Sequence, residues 1–300
     1  MWPVIGLIRP LPRPVVPAHN ETLSSYLARL ARANRLDTDA LRTHLTGTKS
    51  KDVPIPVDDL ALLSGQNPQT LSYALPELVA ELLPTASANR PPLHGDSQLR
   101  CTHCTLTRGH QGAVHCWNHQ EDVVCLRHHR WIGNTQQQFG HHQPSLRDQP
   151  DIMHANTLHR RIIRRHGRLS ATVAFGHASR ICLEWHRRLE HDDDFYRLMN
   201  RFHSGQWRTT ATDPTVNAAR YPQIIALTRL LASPTWQSRC LTNWPAPHRF
   251  IHEIRRTVAP NFRWTLQRHY GTLDPLIAIL LDQRHQNHQS DQQLFAGHGC

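Results

Sequence analysis

Two short spacings constrain this chain more than any other feature: C-x-x-C at Cys101 and Cys104, and C-x-x-H at Cys125 and His128, separated by Thr105 to Val124. Zinc takes four soft or borderline ligands at the corners of a tetrahedron, and each such pair supplies two from one tight turn. A small hairpin can bring both turns to one ion. The spacing therefore predicts a single structural Zn2+ held by Cys101, Cys104, Cys125 and His128. Four protein ligands leave no position for a water nucleophile, which argues against catalytic zinc. His129 adjoins His128 and stays open as its substitute. His103 lies inside the first pair, where the turn points it away, and Cys116, beside Trp117, is expected to pack under the knob.

The rest of the composition agrees with a metal site. The cysteines number seven, an odd count with four clustered, so a disulfide framework is not expected, and a reducing cytoplasm is. The opening MWPVIGLIRPLPRP lacks a signal-peptide pattern, and the longest apolar run, Leu276 to Leu281, is far too short for a bilayer. The expectation is a soluble cytoplasmic protein with no membrane partner. A length of 300 residues suggests about two domains. The net charge of +11 points to a polyanion, and all the Lys+Arg except Lys49 and Lys51 are arginine.

Periodicity predicts a mainly α fold: an N-terminal helical domain with a helix-turn-helix-like segment, a small zinc-binding knob and a C-terminal helical domain. Residues 1–19 carry five prolines and read as an extended arm whose Trp2, Val4, Ile5, Leu7 and Ile8 could dock on the body. The N-terminal helical domain spans 20–83. Its first helix has Leu23, Tyr26, Leu27, Leu30 and Ala31 on one face, with Asn20 as N-cap. Asp37 or Thr38 caps a second helix ended by Gly47. In VDDLALLSGQNPQTLSYAL, Leu60, Leu62 and Leu63 belong to one short helix, Ser64-Gly65 turn, and Gln66 or Asn67 caps the next. Leu71 and Leu75 then face the core, and Gln69, Thr70, Ser72 and Tyr73 face outward as candidate DNA-reading residues. A plain helical hairpin has the same pattern.

A linker over 84–98 leads to the knob, 99–135, and a second linker over 136–150 to the C-terminal helical domain, 151–284. The tail 285–300 reads as disordered. In the C-terminal domain, helices are expected over TLHRRIIRRHGRL, RICLEWHRRLEHDDDFYRLMNRF, YPQIIALTRLLAS, FIHEIRRTVA and DPLIAILLDQRH, with Pro222 and Pro275 just inside helix starts. The strongest basic run is His159 to Arg168. On one helix Arg161, Arg165 and Arg168 share a side and Arg160 and Arg164 form an adjacent stripe, which suits DNA phosphates. Arg255 and Arg256 are weaker candidates, offset by Glu253, while Trp185 and Trp207 are expected to pack between helices and HDDD, 191–194, to join two of them.

The stretch Glu21-Thr22-Leu23-Ser24-Ser25-Tyr26-Leu27-Ala28-Arg29-Leu30-Ala31-Arg32-Ala33-Asn34 resembles the E-S-L-x-S-W-L-x-R-L-A-x-x-N opening of TniQ/TnsD-type transposition proteins. Those proteins continue into a C-x-x-C…W…C-x-x-H knob, and Cys101, Cys104, Trp117, Cys125 and His128 stand here in that order. The resemblance covers about residues 15–135. Thr102 and Leu126 replace the proline that often follows the first Cys of each pair, Tyr26 replaces the usual Trp, and Cys182, Cys240 and Cys300 cannot build a second knob. The resemblance implies a non-enzymatic DNA-targeting adaptor. It would bind target DNA or a CRISPR effector complex there and recruit an AAA+ ATPase that summons the transposase; a homodimer stays open. The alternatives are a stand-alone zinc-containing transcriptional regulator and an HNH-like nuclease using His128, His129, Asn134 and His141, whose spacings are too short for a ββα metal finger.

Overall fold

The computed structural model describes residues 8–79, 97–133, 142–188, 193–203 and 213–235. The expectations for Trp2 to Leu7, Asn134, His141, Trp207, Arg255, Arg256, the two last helices and the tail lie outside them. The chain is mainly helical and divides into two compact units, 1–143 and 144–300.

In the first unit, helix α1 spans Leu23–Ala33, α2 Thr38–Thr46, α3 Val57–Ser64 and α4 Pro68–Ala74. Thr22, not Asn20, caps α1: its hydroxyl accepts the Ser25 N–H at 3.1 Å, while Asn20 sits at φ +58 shortly before. A second free amide of the helix end, Leu23 N–H, is taken by Glu77 Oε1 at 2.9 Å. Asp37 caps α2 through the Ala40 N–H at 2.8 Å, and Gly47 ends it in the left-handed conformation that spares a Cβ clash.

The apolar faces of these helices form one core. Tyr26, Leu27 and Leu30 pack with Leu41 and Leu45, Leu60 and Leu63, and Leu71 and Leu75. The segment before α1 completes it, because Ile8, Leu11 and Val15 pack against the same cluster and Leu11 N–H donates to Leu63 O at 2.8 Å. Between α3 and α4, Gly65 takes φ +65 and Asn67 caps α4 through the Gln69 N–H at 2.8 Å. Leu62 is half exposed, the one leucine of its trio that misses the core.

The second unit contains α6 (Pro150–His166), α7 (Arg168–Arg188), α8 (Asp193–Phe202) and α9 (Pro214–Leu231), numbered after the short α5 of the first unit (Thr102–Thr107). Helix α9 packs on each of α6, α7 and α8. Its start corrects one expectation: Asp213 caps it through the Thr215 N–H at 2.8 Å, and Pro222 lies inside the helix, not at its start. The cap-proline pair Asp213-Pro214 is the stronger start signal. Ile181, Cys182 and Trp185 are buried along α7, so Trp185 is a packing residue. His159, also buried, shares a hydrogen bond with the Tyr221 hydroxyl through Nδ1 at 2.8 Å and stacks on Phe175. No helix among the described residues is long and apolar enough to cross a membrane.

Candidate metal centre

Four ligand atoms converge, one each from Cys101, Cys104, Cys125 and His128, all within 4.8 Å of one another. Local structure explains how. Cys101 follows strand β1 (Gln98–Leu99) by two residues and stands as the N-cap of α5, so Cys104 falls in the first turn of that helix. Cys125 closes strand β3 (Val124–Cys125), which pairs antiparallel with β4 (Arg130–Trp131), and His128 occupies the turn between them. His129 takes φ +48, which lets the turn close while His128 keeps the inward position.

The separations fit a tetrahedral ion. Arms of about 2.3 Å to sulfur and about 2.0 Å to nitrogen give edges of about 3.5–3.8 Å. The Cys104 and Cys125 sulfurs are 3.7 Å apart, and His128 Nδ1 lies 3.5, 3.2 and 3.7 Å from the sulfurs of Cys101, Cys104 and Cys125. Three sulfurs and one nitrogen are also the donor set zinc favours. Burial, with the neighbouring Cys125, pushes the Cys104 thiol up to about 12 and raises that of Cys101 as well. Partial burial and the Arg127 guanidinium hold His128 below its ordinary value, which favours the neutral imidazole that can ligate. Thiols this crowded resist losing protons unless a cation compensates the charge.

Two features that the spacing did not announce lock this knob in place. Gln143, in the segment read as a linker, is buried and bonds the first knuckle: its Oε1 accepts the Thr102 N–H at 2.9 Å and its Nε2 donates to Arg100 O at 3.0 Å. Its carbonyl accepts from Arg130 Nη1 at 2.6 Å, so one residue ties both knuckles. A lone glutamine in a polar stretch carries no sequence signal for this.

The second feature joins the knob to α1. Glu21 is fully buried and pairs with Arg29, Oε2 to Nη2 at 2.6 Å and Oε1 to Nε at 2.8 Å. Its oxygens also accept the Ala18 N–H and the Ser25 hydroxyl, at 2.8 and 2.9 Å. Ser25 Oγ in turn accepts the His115 N–H at 3.0 Å, and Arg29 Nη2 donates to Val16 O at 3.0 Å. Backbone bonds run alongside, Thr22 N–H to His115 O at 2.9 Å and Trp117 N–H to Asn20 O at 2.8 Å. The strand β2 (His115–Cys116) that receives them pairs with β1, which leads into Cys101. Tyr26 and Asn34 hold the preceding segment, through Val15 O at 2.9 Å and both backbone groups of Arg13 at 2.9 Å. The polar letters of the α1 motif are thus the ties between helix, arm and knob.

The remaining candidates are placed as follows. Gln69, Thr70 and Tyr73 are exposed on α4 and Ser72 is half buried; Tyr73 stacks on His19 with ring centroids 5.1 Å apart. Cys116 is buried beside Val114 and Ala18, outside the four-ligand cluster. His103 also stays outside the cluster, its ring 5.3 Å from that of His128. Arg161, Arg164 and Arg165 are exposed on α6. Arg160 is half buried, and His159, which opens the basic run, is buried. Arg168 corrects an expectation: α6 stops at His166, Gly167 turns with φ +82, and Arg168 begins α7, so it does not extend the Arg161–Arg165 stripe of a single helix. A glycine flanked by His and Arg reads as helix by periodicity, but a positive φ ends it.

The TniQ family model matches residues 12–131, while no curated protein and no solved structure matches the chain.

Proposed function

We propose that this chain, a TniQ-type protein by its residues 12–131, is a non-enzymatic adaptor that selects the target site in transposition. In this reading it binds target DNA, or a CRISPR effector complex already seated there, and recruits an AAA+ ATPase and through it the transposase. The observation that carries the reading is the coincidence of the matched segment with one hydrogen-bonded body, in which the α3–α4 hairpin packs on α1 and a buried polar network ties α1 to the four-ligand knob. Such a body offers two rigid surfaces, one exposed helix α4 and one knob, for partners on either side.

A single Zn2+ held by Cys101, Cys104, Cys125 and His128 would supply rigidity, since binding and local folding are one equilibrium. Gln69, Thr70, Ser72 and Tyr73 would meet the DNA from α4. Arg160, Arg161, Arg164, Arg165 and Arg168 would bind phosphates, Arg160 from a half-buried position and Arg168 from the start of the next helix.

The test is copurification. A tagged AAA+ ATPase encoded beside this gene is expected to retain the full chain, and to lose it when zinc is stripped; an ATPase that retains nothing would defeat the adaptor reading. A second expected result concerns DNA. Changing Arg161, Arg164 and Arg165 together to alanine should weaken duplex binding and make the slope of log K against log salt shallower by about 0.9 for each phosphate no longer neutralised. A slope equal to the parent's would remove these arginines from the interface.

A further inference from the structure

Helices α6 and α9 enclose a groove of about 360 Å3 whose sides include Arg161 and Arg165 from α6 and Arg229 from α9. Its apolar surface comes from Leu158, Ile162 and Leu230, and no acidic side chain among the described residues lines it. We propose that this groove is a phosphodiester site for the backbone of duplex DNA, with Arg229 as its third cation. The proposal rests on the DNA-binding reading above and adds a site and a residue to it.

Helix ends explain part of the charge but not its convergence. Arg165 and Arg229 lie in the last turns of their helices, where a cation complements the free carbonyls. Arg161 lies before the last turn of α6, yet it faces the same hollow. Three like charges around one cavity repel each other unless anions come between them. Guanidinium forks match phosphate oxygens in pairs, and successive phosphates on one strand supply the matching row of charges.

The surface between the arginines distinguishes backbone from base. A single-stranded base site presents several aromatic rings for stacking, whereas this groove is lined by leucine and isoleucine with His166 as the one ring among its lining residues. Aliphatic side chains suit the C–H faces of a deoxyribose lying between two phosphates. A site of this kind positions the duplex without reading its sequence.

The experiment uses the full chain with two fluorescently labelled duplexes of unrelated sequence and one labelled single-stranded oligonucleotide, titrated by anisotropy over a salt series. Arg229→Ala is expected to weaken both duplexes by the same factor and to make the log–log salt slope shallower by about 0.9. Arg229→Lys is expected to keep the parent slope, because the charge remains, while recovering only part of the affinity. Arg229 is exposed, and an unchanged melting temperature in the lysine variant separates phosphate binding from folding. An Arg229→Ala slope equal to the parent's, where the Arg161/Arg164/Arg165 variant lowers it, overturns the groove alone. If neither variant changes the slope, the DNA reading falls with it. Weakening confined to one duplex, or to a single-stranded oligonucleotide, also overturns the assignment.

Discussion

Replacing Cys101 or Cys125 by serine is expected to reduce bound zinc from one per chain to near none and to unfold the knob. Structural zinc contributes about 10–16 kcal/mol of apparent binding free energy in finger peptides, and that free energy is coupled to folding. A serine oxygen in place of a thiolate removes one of the four converging ligands and leaves a polar group among Cys104, Ile132 and the other sulfurs. Elemental analysis and a thermal melt read the result. Two controls sharpen it. Cys116→Ser should retain the metal, because that sulfur lies outside the cluster. His129→Ala should retain it too, since His128 supplies the inward nitrogen. Full zinc in Cys101→Ser would sink the assignment of the centre.

The same centre is expected to show a pH dependence whose sign follows from its raised thiols. Burial raises the Cys104 and Cys101 thiols, so they bind protons tightly and an incoming metal must displace them. Apparent affinity should therefore fall as pH falls, by about 10-fold per pH unit for each proton released. Metal titration across neutral and mildly acidic buffers checks this.

The second large effect is expected at the buried pair. Glu21→Ala or Arg29→Ala should each destabilise the first unit by about 3–5 kcal/mol, because each leaves an uncompensated charge in the interior. Glu21 holds Ala18, Ser25 and Arg29 at once, so its loss should also loosen the α1–β2 junction. Denaturant unfolding measures the first, and faster amide exchange at His115 and Trp117 the second. The double variant should cost well below the sum of the two, since the partners share one interaction. Additive costs would mean that the pair is not coupled.

Much of the local architecture was legible because it depends on neighbours along the chain. Asp37, Gly47 and Asn67 are each read from a cap or turn rule that needs only a few residues. The convergence of the knob's four Cys and His side chains was legible for the same reason, as two x-x spacings state which side chains share a turn. Where local signals competed, the reading slipped: Asn20 and Thr22 both suit a cap, and Pro222 and Pro214 both suit a helix start. Gly167 shows the limit of periodicity, which carries through a residue whose φ ends the helix.

By itself the sequence determined the helical class, the core faces and the convergence of Cys101, Cys104, Cys125 and His128, since these follow from period, capping chemistry and the paired spacings. Only the tertiary structure decided what Glu21, Arg29 and Gln143 do, and that Arg229 joins Arg161 and Arg165 around one groove. Each of those partnerships spans a distance along the chain that no local rule covers. A buried charge finds its partner only when the fold removes water from both.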